Sequence, residues 1–231
     1  MYFQKIGVGN PIVFLHGWGC DGSIFLPIAQ KLHNFKSYLV DFNGFGKSSS
    51  PPPSGWGVEQ YAEALKLFLK QHNLSNVCIV AHSFGCRVAL VLAAKYPQLV
   101  QKMLLVAPAG IRQFSFKRWV KVRKYKLYKA FRPSLAAKLG SIDYNACSEN
   151  MRNTFVKVIN QDLSHFAKQV SCAVLIVNGK NDIETPLNQA RKLNKLLKNG
   201  SLAEIDGDHF AFFKTPSAFA QTICYFMGAN I

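Results

Sequence analysis

Three side chains of this 231-residue chain have the types and the order needed to turn a hydroxyl into a nucleophile: Ser83, Asp182 and His209. A serine hydroxyl is a weak nucleophile at neutral pH and needs a histidine to take its proton. That histidine needs an acid to hold its tautomer and stabilise the imidazolium. Each of the three follows a short apolar run: Ser83 in Ala81-His82-Ser83-Phe84-Gly85 after run 77–81, Asp182 in Gly179-Lys180-Asn181-Asp182 after run 173–178, and His209 in Gly207-Asp208-His209 after run 201–205. Taken singly, an aspartate after a strand is an ordinary helix cap and a histidine near a C-terminus an ordinary surface residue. Their joint placement after successive strands, in the order Ser, Asp, His, is what points to nucleophilic catalysis.

Attack on a carbonyl leaves an oxyanion that needs donors. His16-Gly17-Trp18-Gly19 follows the run 12–15, and glycines there let the backbone approach a substrate oxygen. The amides of Trp18 and Phe84 form the expected donor pair, each worth roughly 3 kcal/mol of transition-state stabilisation. His16 itself reads as a structural histidine and His82 as packing or support beside the nucleophile. Glu184, two residues beyond Asp182, is the competing acid, whereas Asp208 is too close in sequence to His209 to reach back to its Nδ1. Gly44-Phe45-Gly46-Lys47-Ser48 fails as a phosphate loop because the required first glycine falls at Asp41. No metal or nucleotide motif is recognisable, so no cofactor is expected.

The elements that must position these residues alternate. Runs 12–15, 37–40, 77–81, 103–107 and 173–178, with a weaker one at 201–205, predict strands; apolar spacing of three and four predicts helices over 24–32, 58–71, 84–95, 187–197 and 217–227. Alternation of this kind implies an α/β fold, a mostly parallel central sheet with helices on both faces and its active site at the carboxyl ends of the strands. Ser83 then occupies a strand-to-helix corner, the setting of a nucleophile elbow, although the consensus G-x-S-x-G has Ala81 in place of its first glycine. The alternation breaks over 110–168, which reads as an inserted helical lid; 1–109 and 169–231 form the core. Pro51, Pro52 and Pro53 mark an exposed loop, not a linker, because the helical pattern resumes directly after them.

Net charge is +16, from 28 Lys and Arg against 12 Asp and Glu. Residues 112–138 hold ten basic side chains and no acid, while five of the twelve acids fall within 182–208. The lid therefore carries the basic charge. Its apolar stripe, Phe116, Trp119, Val120 and Leu127, suits a roof over an acyl pocket, and Arg118, Lys121, Arg123, Lys124 and Lys126 suit an anionic partner such as an acidic carrier protein, or an anionic membrane surface. Equally, the stripe suits core packing of the lid and the charges its solvated face. No groove-reading or base-stacking motif accompanies the basic charge, so nucleic acid is not expected. The six cysteines are scattered without a CxxC pair and are expected as free thiols. No signal peptide and no run of 18 apolar residues is encoded, from which a cytoplasmic location is expected.

With these motifs in order, the chain resembles the α/β-hydrolase superfamily over essentially its whole length. The resemblance includes Asp41-Phe42-Asn43-Gly44-Phe45-Gly46-Lys47-Ser48, similar to the D-x-x-G-x-G-x-S structural turn, Thr185-Pro186 after the acid, and Tyr96-Pro97 closing the helix after the nucleophile. It implies Ser83 as nucleophile, Asp182 as acid, His209 as base, and the Trp18 and Phe84 amides as oxyanion hole. A serine nucleophile disfavours the haloalkane dehalogenase and epoxide hydrolase branches, and the lack of an H-G-G-P-G loop disfavours proline iminopeptidases. The H-G-W-G loop and small basic lid are similar to those of pimeloyl-carrier methyl esterases. The resemblance thus implies cleavage of a carboxylic ester or thioester, small or carrier-linked, through an acyl-enzyme. Carbon–carbon bond hydrolysis and a catalytically silent binding module are the alternatives.

Overall fold

A computed structural model of the protein describes residues 1–111, 144 and 147–228. Seven strands, β1 (Phe3–Ile6), β2 (Asn10–Leu15), β3 (Phe35–Val40), β4 (Val77–His82), β5 (Val100–Val106), β6 (Ala173–Gly179) and β7 (Gly200–Ile205), form one sheet in the order β1-β3-β2-β4-β5-β6-β7. Only β1 runs antiparallel to its neighbour; all other pairs are parallel. The six expected strands are all present. β1 was not foreseen, because Phe3-Gln4-Lys5-Ile6 is short, half-buried and at an edge, so its apolar signal is weak. It is anchored from a distance: the Asp41 amide donates to the Tyr2 carbonyl at 2.9 Å and the Tyr2 amide to Ser48 Oγ at 2.7 Å.

The helices are α1 (Leu26–Ala29), α2 (Val58–Gln71), α3 (Phe84–Lys95), α4 (Glu149–Asn160), α5 (Ser164–Ala167), α6 (Leu187–Leu196), α7 (Ala211–Lys214) and α8 (Pro216–Met227). The helix expected over 24–32 is broken into a 3₁₀ turn, Gly22–Phe25, followed by the single turn of α1. Pro27 explains the break: it lacks the N–H that would bond back into the preceding turn but is accepted in the first turn of a new helix. Apolar residues from the two sheet faces form separate clusters. One joins β2, β4 and β5 to α2, α3, α5 and α6; the other joins the opposite face to α1 and α8. Helix α3 is buried almost all round, including Val88, Ala89, Leu90, Val91 and Leu92, which fits its nearly continuous apolar sequence.

Helices α4 and α5 occupy the chain between β5 and β6. α4 is fastened to the loop before α2 and to α3: the Trp56 amide donates to Thr154 Oγ1 at 3.0 Å, Lys157 Nζ to the Gly55 carbonyl at 2.9 Å, and Arg87 Nη1 of α3 to the carbonyls of Val158 and Gln161 at 2.9 and 3.1 Å. The apolar stripe Phe116, Trp119, Val120, Leu127 and the basic group Arg118, Lys121, Arg123, Lys124, Lys126 lie outside the described residues. Cys20, Cys78, Cys86, Cys172 and Cys224 are free thiols, buried or half-buried. Among the described residues no helix is long and apolar enough to cross a membrane.

Candidate active site

Strand register brings the chemistry to one edge. Leu15 pairs with Ala81, so the segments that leave β2 and β4 in the same direction, 16–19 and 82–85, emerge side by side. β2 and β4 are also where the chain order reverses, since β3 lies on one side of β2 and β4 on the other. This is the switch point at which open α/β sheets bind ligands. Gly179 pairs with Ile205, so Asp182 and His209 leave β6 and β7 from the same level.

Ser83 is held at φ 48°, ψ −104°, between the last residue of β4 and the first of α3. A non-glycine residue there stores on the order of 1–3 kcal/mol of backbone strain, which persists only where the surroundings over-determine it. Here they do: the Ser83 amide donates to the Val106 carbonyl at 3.0 Å and the Cys86 amide to the Ser83 carbonyl at 3.2 Å. Gly85 leaves the helix room to pass, because a Cβ on it would lie 2.3 Å from the Leu15 carbonyl oxygen. Ala81 remains in β4, wholly buried. The sharp turn therefore forms without the first consensus glycine.

The loop after β2 turns just as tightly. The Cys20 amide donates to the Gly17 carbonyl at 3.3 Å, and Gly19, at φ 75°, supplies the left-handed third position such a turn requires. Gly17 lies close to the serine: a Cβ there would come within 3.5 Å of the Ser83 Cβ and 2.8 Å of His82 Nδ1. The Trp18 amide is not used by the turn, and Phe84, the first residue of α3, has an amide with no intrahelical acceptor. The Trp18 ring packs edge-on against Phe45, Phe84 and Phe155, fixing the loop to α3 and to α4.

Asp182 and His209 meet. His209 Nδ1 lies 2.8 Å from Asp182 Oδ2; an ionised carboxylate only accepts, so Nδ1 carries the proton and Nε2 is the nitrogen with a free lone pair. Asp182 is buried and held by three further hydrogen bonds in the turn after β6: its Oδ1 accepts the amides of Glu184 and Thr185, both at 2.8 Å, and its Oδ2 accepts the Thr185 hydroxyl at 2.7 Å. Burial works to raise its pKa, but the hydrogen bonds from His209 and Thr185 outweigh it and hold the carboxyl below the usual aspartate range. Glu184 does not compete for Nδ1. Its Oε2 lies 3.4 Å from His209 Nε2, on an exposed side chain. Among the described residues no hydrogen bond joins Ser83 to His209.

A model of the alpha/beta hydrolase fold matches residues 10–141. The chain belongs to the alpha/beta hydrolase fold family. It is similar to the AB hydrolase superfamily protein YisY of Bacillus subtilis (strain 168), with 24% identity over 254 residues, 98% of this chain and 94% of that one. Over 108 residues, 46% of this chain and 39% of the other, it is 31% identical to a pimeloyl-[acyl-carrier protein] methyl ester esterase of Shewanella woodyi. The esterase EaEST from Exiguobacterium antarcticum has the same fold, with a TM-score of 0.81 and 21% identity over 99% of this chain and 95% of that one.

Other residues of this α/β-hydrolase support the site from below. His82, fully buried, has its Nε2 3.2 Å from the His209 carbonyl and its ring against His209, Phe210 and Phe212. It packs under the histidine loop, as expected. His16 has both nitrogens on backbone, Nδ1 towards the Gly17 carbonyl at 2.7 Å and Nε2 accepting the Phe42 amide at 3.0 Å, which matches a structural histidine. Asp41 organises the turn that begins with it, accepting the Gly22 and Lys47 amides at 2.8 Å each. Asp208 faces away, paired with Lys214 at 2.8 Å. For two residues near the histidine the sequence does not give the position they take: Thr185, which follows the acid in the family pattern, and Glu184, the competing acid. Thr185 had a signal, a hydroxyl three residues after the acid; the position of Glu184 at Nε2 had none, since it depends on how the loop folds back.

Proposed function

We propose that this α/β-hydrolase is a serine esterase or thioesterase that works through an acyl-enzyme. The observation that carries the reading is the strained, left-handed Ser83 at the β4–α3 corner, at the same sheet edge as the Asp182–His209 pair. Ser83 Oγ attacks the carbonyl carbon as His209 Nε2 takes its proton; the Trp18 and Phe84 amides receive the oxyanion. His209 then returns the proton to the leaving oxygen or sulfur as that bond breaks, and water, activated by the same histidine, releases the acid and frees Ser83. Asp182 stays ionised, holds the tautomer and stabilises the imidazolium. Nε2 and Ser83 come into hydrogen-bond reach when substrate is bound, since such contacts tighten in the Michaelis complex.

Residues 110–168 act as a lid in this reading. Phe116, Trp119, Val120 and Leu127 contact the acyl chain, and Arg118, Lys121, Arg123, Lys124 and Lys126 meet an acidic carrier protein or an anionic membrane surface. The anchoring of α4 to Gly55, Trp56 and Arg87 and the packing of Phe155 on Trp18 support it by tying the described part of that segment to the oxyanion loop. Charge reversal at Arg123 and Lys124 should lower activity on carrier-linked esters and spare free ones; equal activity on both would remove the carrier.

The deciding experiment is labelling with a fluorophosphonate probe, wild type beside Ser83→Ala, followed by turnover of p-nitrophenyl esters of increasing chain length. Labelling lost in the variant, with turnover down by at least about a thousandfold, is expected. A well-folded wild type that takes no probe and turns over no ester would return the chain to a silent binding module.

A further inference from the structure

Glu184 is the acid whose charge the fold leaves facing the reaction. Glu59, Glu63, Glu204, Asp206 and Asp208 are each ion-paired with a lysine or arginine. Glu184 has no lysine or arginine partner among the described residues; its Oε2 lies 3.4 Å from His209 Nε2, a contact that becomes an ion pair only when the imidazole is protonated. The arrangement is built by the backbone. Asp182 Oδ1 accepts the amides of both Glu184 and Thr185, closing a turn that brings the glutamate side chain back over the imidazole while leaving it 60% exposed. Residue 183 within the same turn is an isoleucine, 90% exposed, and Phe210 beside the histidine is 38% exposed. A carboxylate with no lysine or arginine partner among the described residues therefore stands at an apolar rim.

The position matters because of what Nε2 does. Resting on the acyl-enzyme reading above, Nε2 hands its proton to the leaving-group atom, which must lie within about 3.2 Å of it. A carboxylate oxygen 3.4 Å from the same nitrogen is then no more than roughly 6.6 Å from that atom. We infer that Glu184 is a specificity-determining residue which selects substrates whose leaving group carries a positive charge, such as an amino-alcohol or quaternary ammonium alcohol. The surroundings agree. Burial raises the Cys20 thiol's pKa, and Asp21 and Glu184 add to the effect, so Cys20 in the loop after β2 lies within the field of both carboxylates. Arg191, on α6, and Lys180, just after β6, are engaged elsewhere, with Glu204 and Asp206. A cation held near a partly solvated carboxylate gains enough to change kcat/KM about tenfold, and an anion loses as much.

The test compares two esters of one fatty acid, the choline ester and its uncharged isostere, the 3,3-dimethylbutyl ester, with the acyl chain that the p-nitrophenyl series favours. The readout is the ratio of their kcat/KM values in wild type and Glu184→Gln. The ratio cancels any effect of the glutamate on His209 common to both substrates. At low ionic strength wild type should prefer the choline ester, and the preference should fall about tenfold in Glu184→Gln. Added salt should shrink the wild-type preference and leave that of the variant alone. An equal ratio in the two proteins overturns the inference, whether or not both rates fall together. Loss of p-nitrophenyl turnover in Ser83→Ala, measured alongside, keeps the acyl-enzyme reading separate: it stands if only the ratio fails, and both fall if wild type and Ser83→Ala behave alike.

Discussion

Two imidazoles sealed beneath the site should make this hydrolase lose stability in mild acid. Burial, opposed by the Gly17 carbonyl and by Asp41 and Asp21, lowers the pKa of His16 to about 4. Burial, reinforced by the neighbouring His209, lowers that of His82 to about 3. In the unfolded chain both titrate near 6.5. Below that value the unfolded state binds more protons than the folded one, so their contribution is complete above about pH 6.5 and is lost as pH falls towards 4 and then 3. At about pH 5 an unfolded imidazole is almost wholly protonated and the folded ones are nearly neutral. Each then costs about 2 kcal/mol relative to pH 8, about 4 kcal/mol for the pair, from a total that is typically roughly 5–15 kcal/mol. Asp182 acts in the same direction lower still: its depressed pKa contributes stability above the unfolded aspartate value, lost as pH falls through the folded one. Urea unfolding followed by tryptophan fluorescence measures this. With a slope of about 2 kcal/mol per molar urea, the midpoint should drop by about 2 M between pH 8 and pH 5, and in His82→Phe by about half as much. A midpoint that does not move over that range, or a His82→Phe variant as acid-sensitive as wild type, would refute the reasoning.

Gly85→Ala should destabilise the fold by several kcal/mol or prevent expression, because its Cβ would meet the Leu15 carbonyl oxygen at 2.3 Å; thermal unfolding of the variant checks it. Asp182→Asn should keep the fold and lower kcat by about ten thousandfold by upsetting the histidine tautomer, measured on the best p-nitrophenyl ester with circular dichroism as the folding control. Thr185→Val removes the hydroxyl that reaches Asp182 Oδ2 at 2.7 Å and should cost about 1–3 kcal/mol of stability, read from urea midpoints. It should also narrow the acidic limb of the pH–rate profile, since Asp182 loses one of the bonds that keep it ionised.

Much of the scaffold is legible in the residues because the same physics is local. Buried parallel strands must be continuous apolar runs, so 77–81 and 173–178 announce themselves, and the boundaries of α2 and α3 fall where apolar spacing begins and ends. Elements whose stability is borrowed are the ones that escape. β1 is held by β3 and by Ser48 across 46 residues, and α1 is cut short by Pro27 after a 3₁₀ turn capped by Asp21; neither has a periodic signal of its own.

Residue order alone determined that a serine, an aspartate and a histidine each leave the carboxyl end of a strand, since order and strand polarity suffice to put them on one edge. Tertiary structure decided how two carboxylates share one imidazole. Asp182 and Glu184 are two residues apart and equal candidates by type, yet one lies 2.8 Å from Nδ1 and the other 3.4 Å from Nε2. The choice belongs to the turn after β6, where the amides of Glu184 and Thr185 and the Thr185 hydroxyl converge on Asp182. That turn is local, but which nitrogen each carboxylate meets is settled only once β6 and β7 are paired and the loop carrying His209 faces it, which is why no spacing in the chain encodes it.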